Sequence, residues 1–260
     1  MSFIIAVAGK GGTGKTTICG LLIRYINEKF KKPVLAIDAD PNMNLNEVLG
    51  VKVDHTIGSI REKVRENDEN MPGGMSRIEY FQLMINQAVV EGSKVDLLVM
   101  GRPEGSGCYC AANNQIKKAM DDLSSKYAFT VIDNEAGMEH LSRHTTQNVD
   151  LLIIVSDSSW RGIQAGLRIK KLVEELKLNI KKQVLIINRI SGEYDKEYYE
   201  EILENNLLLL GMLPEDEKVT EYDKKGIPLT QLPEDSKIVN VLFSLFDSLG
   251  TKGFDGFREL

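Results

Sequence analysis

The chain has 260 residues, 42% of them hydrophobic, which is enough to bury a substantial core as one α/β domain over 1–260. Its 32 Lys and Arg against 38 Asp and Glu leave a formal net charge of −6 with no long basic block, a balance that argues against a nucleic-acid partner. No apolar stretch approaches the roughly 20 residues of a membrane span, and no charged leader precedes the first apolar run, so a cytoplasmic protein with no membrane partner is expected.

Apolar runs and helical patterns alternate almost to the end. In chain order the spacing predicts a strand at 3–8, a helix at 16–30, a strand at 33–38, helices at 57–66 and 77–90, a strand at 95–100 and a helix at 113–125. Strands at 130–133 and 151–155 follow, then a helix at 162–176, a strand at 184–188, a helix at 194–206, a strand at 207–211 and a helix at 236–249. Several strands are apolar on consecutive positions, as parallel strands covered on both faces require. The fold class expected is α/β: a doubly wound, mostly parallel sheet of about seven strands with helices on both faces, and ligands at the carboxyl ends of the strands. The acidic stretch 67–75, with its Gly and Pro, reads as a surface loop.

Directly after the first apolar run comes Gly9-Lys10-Gly11-Gly12-Thr13-Gly14-Lys15-Thr16, followed by Thr17. It fits the phosphate-loop pattern G-x-x-x-x-G-K-[ST] and lies between an expected strand and an expected helix, as that motif demands. Its glycines allow backbone N–H groups to turn inward around a polyphosphate, Lys15 supplies a point charge to the terminal phosphates, and the Thr16 hydroxyl can ligate magnesium.

Carboxylates stand at two strand ends. Asp38 and Asp40 are two apart and share a face of an extended segment, so both are expected to point toward the phosphates, and Pro41 ends the segment. Asp133 closes the apolar run at 130–133, the Walker B arrangement that holds magnesium through water. The role of the nearby Glu135 is left open. Asn188, at the end of another strand and followed by Arg189, has an amide suited to an adenine edge, and Asn188-Arg189-Ile190-Ser191 lacks the acid of the N-K-x-D motif of GTP-specific proteins, so ATP is favoured over GTP.

Cys108 and Cys110 are two residues apart among glycines, an arrangement that can present both thiols to a soft metal. Two thiolates are half of a tetrahedral site, and a two-fold axis would complete it. Buried small hydrophobes or a local redox pair are the plainer readings of the same cysteines. Cys19, among Ile18, Leu21 and Leu22, reads as core, His140 and His144 have i, i+4 spacing on an expected helix, and Trp160 is expected to pack at a helix start.

The second lysine in the loop, Lys10, resembles the deviant phosphate loop of the MinD, ParA and nitrogenase-iron-protein class of ATPases. That resemblance implies a homodimer closing around ATP, with Lys10 reaching the partner's nucleotide. The segment from Asp38 to Pro41 is similar to the D-x-D-P of ParA-like ATPases, which implies that Asp40 orients the attacking water and Asp38 supports water or magnesium. The run Gly101-Arg102-Pro103-Glu104-Gly105 through Cys110, with Asp133 to Arg143, resembles the nickel-insertion accessory ATPases of carbon monoxide dehydrogenase, the CooC type. The implied function is an ATP-dependent metallochaperone. Cys108 and Cys110 of two subunits would hold nickel, or zinc as a surrogate, for carbon monoxide dehydrogenase or acetyl-CoA synthase. Two other classes compete: an iron–sulfur electron donor like the nitrogenase iron protein, and a positioning ATPase of the MinD or ParA kind.

Overall fold

The most apolar strand lies in the middle of the sheet. β1 (Phe3–Gly9) buries Ile5, Ala6, Val7 and Ala8 completely in a computed structural model that describes residues 2–66, 74–102, 118–135, 148–192 and 196–251. With β2 (Val34–Asp38), β3 (Val95–Val99), β4 (Phe129–Asp133), β5 (Asn148–Asp157), β6 (Asn179–Ile190) and β7 (Leu208–Pro214) it forms a seven-stranded sheet in the order β3-β2-β4-β1-β5-β6-β7. Every neighbouring pair is parallel among the described residues, so the expected doubly wound sheet is present.

The two-residue period of β1 divides the core. Ile5 and Val7 face one apolar layer together with Ile18, Leu22 and Ile26 of α1 (Lys15–Phe30) and Leu242 and Phe246 of the helix Lys237–Thr251. Ala6 and Ala8 face the other layer, built from the helices Ile57–Glu66, Arg77–Ala88, 118–124, Trp160–Glu175 and Lys196–Glu204. Each fully buried Leu, Ile or Phe contributes about 1.5–3 kcal/mol relative to exposure, so both layers stabilise the packing of the sheet against its helices.

β5 and β6 run beyond their apolar cores. Asn148 pairs with Asn179 in the ladder and receives its side-chain N–H at 2.6 Å, while Asp150 accepts the Ile4 N–H at 2.8 Å and the Lys181 ammonium at 2.6 Å. Polar residues therefore extend these strands because each finds a partner on a neighbour. Three short elements were not expected: the helices Leu45–Leu49 and Glu217–Lys224 and the 3-10 turn Leu229–Gln231. Asp216 organises the latter region. One of its oxygens caps the helix Glu217–Lys224 at the Lys218 N–H, and the other accepts from Ser236 and from the Ile238 N–H. Trp160, expected to pack, is 45% exposed at its helix start.

Candidate nucleotide site

β1 lies between β4 and β5, and the chain leaves its carboxyl end at a switch point of the sheet. Gly9 fits tightly here: a Cβ would sit 2.2 Å from the Val155 carbonyl oxygen on β5. At the other end of the loop Gly14 has φ 93, a left-handed conformation, and a Cβ there would meet the Asn188 amide nitrogen at 2.4 Å. α1 then begins at Lys15 with no side-chain cap and no acidic residue in its first turn. Its first backbone N–H groups and the positive end of its dipole are thus left for an anion.

The loop is braced from below. The Lys10 carbonyl accepts the Thr13 hydroxyl at 2.9 Å, the Thr13 N–H at 3.4 Å and the Lys15 ammonium at 3.4 Å, while Lys10 itself is exposed. Asn188 is buried; its amide N–H donates to the Thr13 carbonyl at 2.9 Å and its amide oxygen accepts the Arg189 N–H at 2.9 Å. The Arg189 guanidinium donates to the Gly12 carbonyl at 3.0 Å. The amide expected at an adenine edge thus also braces the phosphate loop, through one N–H to the Thr13 carbonyl. Asn188→Asp puts a carboxylate in place of a donor against the Thr13 carbonyl and should lower nucleotide affinity more than about tenfold, beyond the loss of one buried hydrogen bond. Calorimetry with ATP and GTP checks this, and an unchanged affinity would remove Asn188 from the support of the loop.

The paired carboxylates part company. Both oxygens of Asp38 accept backbone N–H groups of its own loop, one from Asp40 and one from Leu45, each at 3.0 Å. Burial pushes its pKa up to about 7, against the lowering effect of the Leu45 N–H, and the neighbouring Asp133 raises it further. Asp38 thus braces its own loop through both oxygens. Asp40 turns outward; it accepts the Asn42 N–H at 2.8 Å and lines the cavity.

Asp133 lies beside Asp38 in the ladder between β2 and β4. It is buried, which pushes its pKa up to about 6, although hydrogen bonds from Thr16 and Cys19 and the charge of Lys15 act in the opposite direction. Its Oδ1 has no hydrogen-bond partner among the described residues. Cys19 is buried in the core as expected, and burial together with Asp133 raises its thiol pKa well above the ordinary value. Asn134 donates its amide N–H to the Val7 carbonyl at 2.9 Å and so ties β4 to β1 just past the site.

A cavity of about 950 Å³ opens over these groups, lined by Gly11, Gly12, Gly14, Lys15, Thr16, Thr17, Asp40, Glu135 and Arg189. Gly9, Thr13, Asp133 and Asn188 support it from behind. Sequence reasoning missed its far walls. They comprise Asn42, Asn44, Asn46, Glu47 and Val48 around the helix Leu45–Leu49, and Asp223 with Gly226 to Leu229. The closely spaced asparagines at 42, 44 and 46 were the available signal on the near side. Cys108, Cys110, His140 and His144 lie outside the described residues, among which no group of three or more His, Cys, Asp or Glu could hold a metal ion. Among the described residues no helix is long and apolar enough to cross a membrane.

A parallel, doubly wound sheet with an uncapped helix behind a glycine loop, a buried lysine and a strand-end aspartate defines a phosphate-loop nucleotide-binding protein. Residues 4–229 match the family described as CbiA, the CobQ/CobB/MinD/ParA nucleotide binding domain. The chain belongs to that family and to its MinD/ParA class of ATPases. An uncharacterized ATP-binding protein of Methanocaldococcus jannaschii is 45% identical over 254 residues, which cover 96% of this chain and 100% of its own. The carbon monoxide dehydrogenase accessory protein CooC of Rhodospirillum rubrum is 32% identical over 236 residues, 86% of this chain and 88% of its own. The septum site-determining protein MinD of Pyrococcus horikoshii, complexed with Mg-ADP, matches the fold with a TM-score of 0.69 at 22% identity, over 97% of this chain and 98% of that one.

Proposed function

We propose that this chain is a magnesium-dependent ATP-hydrolysing switch whose cargo is nickel. The convergence of Lys15, Thr16 and Asp40 on one cavity, with Asp133 behind it, carries the hydrolytic part. Lys15 and the first N–H groups of α1 bind the terminal phosphates. Asp40 orients a water whose oxygen attacks the γ-phosphorus; the bond to the bridging oxygen breaks, giving ADP and phosphate. The Thr16 hydroxyl beside a buried carboxylate with an unsatisfied oxygen is a hard-oxygen donor set that fits magnesium. Thr16 would hold it directly and Asp133 through water, and when bound it supplies charge neutralisation at the phosphates.

The family resemblance supports a homodimer in which the exposed Lys10 reaches the partner's nucleotide. The cargo reading is supported by the Cys108–Cys110 pair in the sequence and by the 32% identity to an accessory protein of carbon monoxide dehydrogenase. Two such pairs across a dimer make a four-thiolate site for nickel or zinc. The client is a nickel enzyme such as carbon monoxide dehydrogenase or acetyl-CoA synthase.

Steady-state hydrolysis tests the assignment of the two loop carboxylates. Asp40→Ala should lower kcat about 100-fold or more, the scale of a lost water-orienting group, with Mg-ATP affinity within a few-fold of wild type. Unchanged kcat in this variant would remove Asp40 from the reaction.

A further inference from the structure

Asp40 begins a β-turn whose geometry is held at several points. Its backbone N–H donates to the Asp38 carboxylate at 3.0 Å, its carbonyl accepts the Met43 N–H at 3.1 Å, and its own carboxylate accepts the Asn42 N–H at 2.8 Å. Pro41 supplies the preset φ of the second turn position. Met43 closes the turn with φ 54, a left-handed conformation that is strained for a side chain of this kind. Such a residue stays left-handed only where its surroundings enforce it, so the turn needs a support beyond its own hydrogen bonds.

On the side of the helix Ile57–Glu66 that support is not direct packing. A cleft of about 270 Å³, lined by Pro41, Asn42, Met43, Thr56, Ser59 and Arg102, lies between the turn and the start of the helix. The Arg102 guanidinium crosses to the turn and donates to the Asn42 side-chain oxygen at 3.2 Å. Arg102 is itself well placed to do this. The Met100 N–H donates to the Asp38 carbonyl at 2.8 Å and the Met100 carbonyl accepts the Gly58 N–H at 2.9 Å. Gly101 follows with φ 66, where a Cβ would meet the Thr56 Oγ1 at 2.6 Å, and a Cβ on Gly58 would lie 2.3 Å from the Arg102 carbonyl oxygen. The absence of a side chain at both positions lets helix and strand end meet this closely, and it fixes the backbone from which Arg102 reaches.

We propose that Arg102 is a positioning residue for hydrolysis: through Asn42 it holds the Asp40–Met43 turn so that the Asp40 carboxylate faces the cavity. This rests on the proposed role of Asp40 in orienting the attacking water. Arg102 is not among the described residues that line the nucleotide cavity, whereas Asp40 and Asn42 are, so it acts through the turn. Its bond to Asn42 is exposed and adds little to overall stability; its effect is on orientation.

Steady-state hydrolysis, Mg-ATP affinity by calorimetry and thermal midpoints are compared for wild type, Arg102→Ala, Arg102→Lys, Asn42→Ala, the Arg102/Asn42 double-alanine variant and Asp40→Ala. A misplacement of about 1 Å can cost on the order of 100-fold in rate. The turn keeps its own hydrogen bonds, so Arg102→Ala should lower kcat about tenfold, with Mg-ATP affinity within about twofold of wild type and the thermal midpoint unchanged. Arg102→Lys, which keeps a donor, should recover most of the loss. Asn42→Ala breaks the same tie from the loop side and should lower kcat to the same extent, and the double variant should fall no further, because the two residues act as one path. Wild-type kcat in Arg102→Ala, or effects that multiply in the double variant, would overturn the positioning role and leave the assignment of Asp40 standing. A fall in Mg-ATP affinity as large as the fall in kcat would also overturn it, by marking Arg102 as a general support of the binding site. Wild-type kcat in Asp40→Ala would overturn the assignment of Asp40 and this inference with it.

Discussion

Replacing Lys15 by alanine is expected to lower Mg-ATP affinity by about 100-fold or more and to abolish nucleotide-dependent dimerisation. The ammonium is buried at the start of an uncapped helix and lies 3.4 Å from the Lys10 carbonyl. It is also the cation that lowers the Asp133 pKa from within the site. Hydrogen bonds to charged groups are worth about 1.5–3 kcal/mol each, and two of them to phosphate oxygens correspond to a hundredfold or more in affinity. A second effect acts in the same direction. Without Lys15 an incoming polyphosphate meets Asp38, Asp40 and Asp133 with one less compensating charge, so repulsion adds to the lost contacts. Titration calorimetry with ATP and ADP measures the affinity, and sedimentation measures nucleotide-dependent dimerisation. Affinity within threefold of wild type would contradict the placement of the phosphates at this loop.

Asp133→Asn is expected to do two opposite things: stabilise the nucleotide-free fold and suppress hydrolysis. Burial raises the Asp133 pKa from 3.8 to about 6, so the folded chain holds a proton that the unfolded chain has already released. Across the window from about pH 4 to 6 stability therefore falls as pH rises. Above it the buried carboxylate costs about 3 kcal/mol, at 1.36 kcal/mol for each pKa unit. Asp38, raised to about 7, extends the same slope toward neutrality. An asparagine at 133 has no charge to desolvate and should raise the thermal midpoint at pH 7.5, with the gain disappearing near pH 4. It cannot hold magnesium through water as the carboxylate does, so hydrolysis should fall about 100-fold or more. Denaturant titrations at the two pH values, beside a phosphate-release assay, check both halves. A destabilised variant at pH 7.5 would show that the carboxylate is satisfied in the fold and not held in reserve for a ligand.

The sheet was legible because β1, β4 and the middle of β5 and β6 are apolar on consecutive residues, a pattern few other environments demand. Strand ends were less so: Asn148 and Asn179 look like loop residues until each is seen to pair with the other. The short helices Leu45–Leu49 and Glu217–Lys224 have too few residues for a periodic signal; the first starts where the Leu45 N–H reaches Asp38 seven positions back, and the second at the local cap from Asp216 to the Lys218 N–H. At the site, the phosphate loop is local in sequence and reads directly. The division of labour between Asp38 and Asp40 does not, because it turns on which backbone N–H groups fall within reach of each carboxylate. Asn188 illustrates the same limit: its amide chemistry was evident, but its partner, the Thr13 carbonyl, is 175 positions away. The cysteine pair stands outside the described residues, so its reading still rests on sequence and on relatives.

Anaerobic nickel titration of the reduced protein, followed by thiolate charge-transfer absorbance and native mass, tests the nickel-switch account most directly. It is run with Mg-ATP and with Mg-ADP, beside the Cys108/Cys110 double-alanine variant. The account requires one nickel per two chains, lost in the variant and bound with an affinity that depends on the nucleotide. No cysteine-dependent nickel in either nucleotide state would contradict it and leave an ATPase of the MinD/ParA class without this cargo.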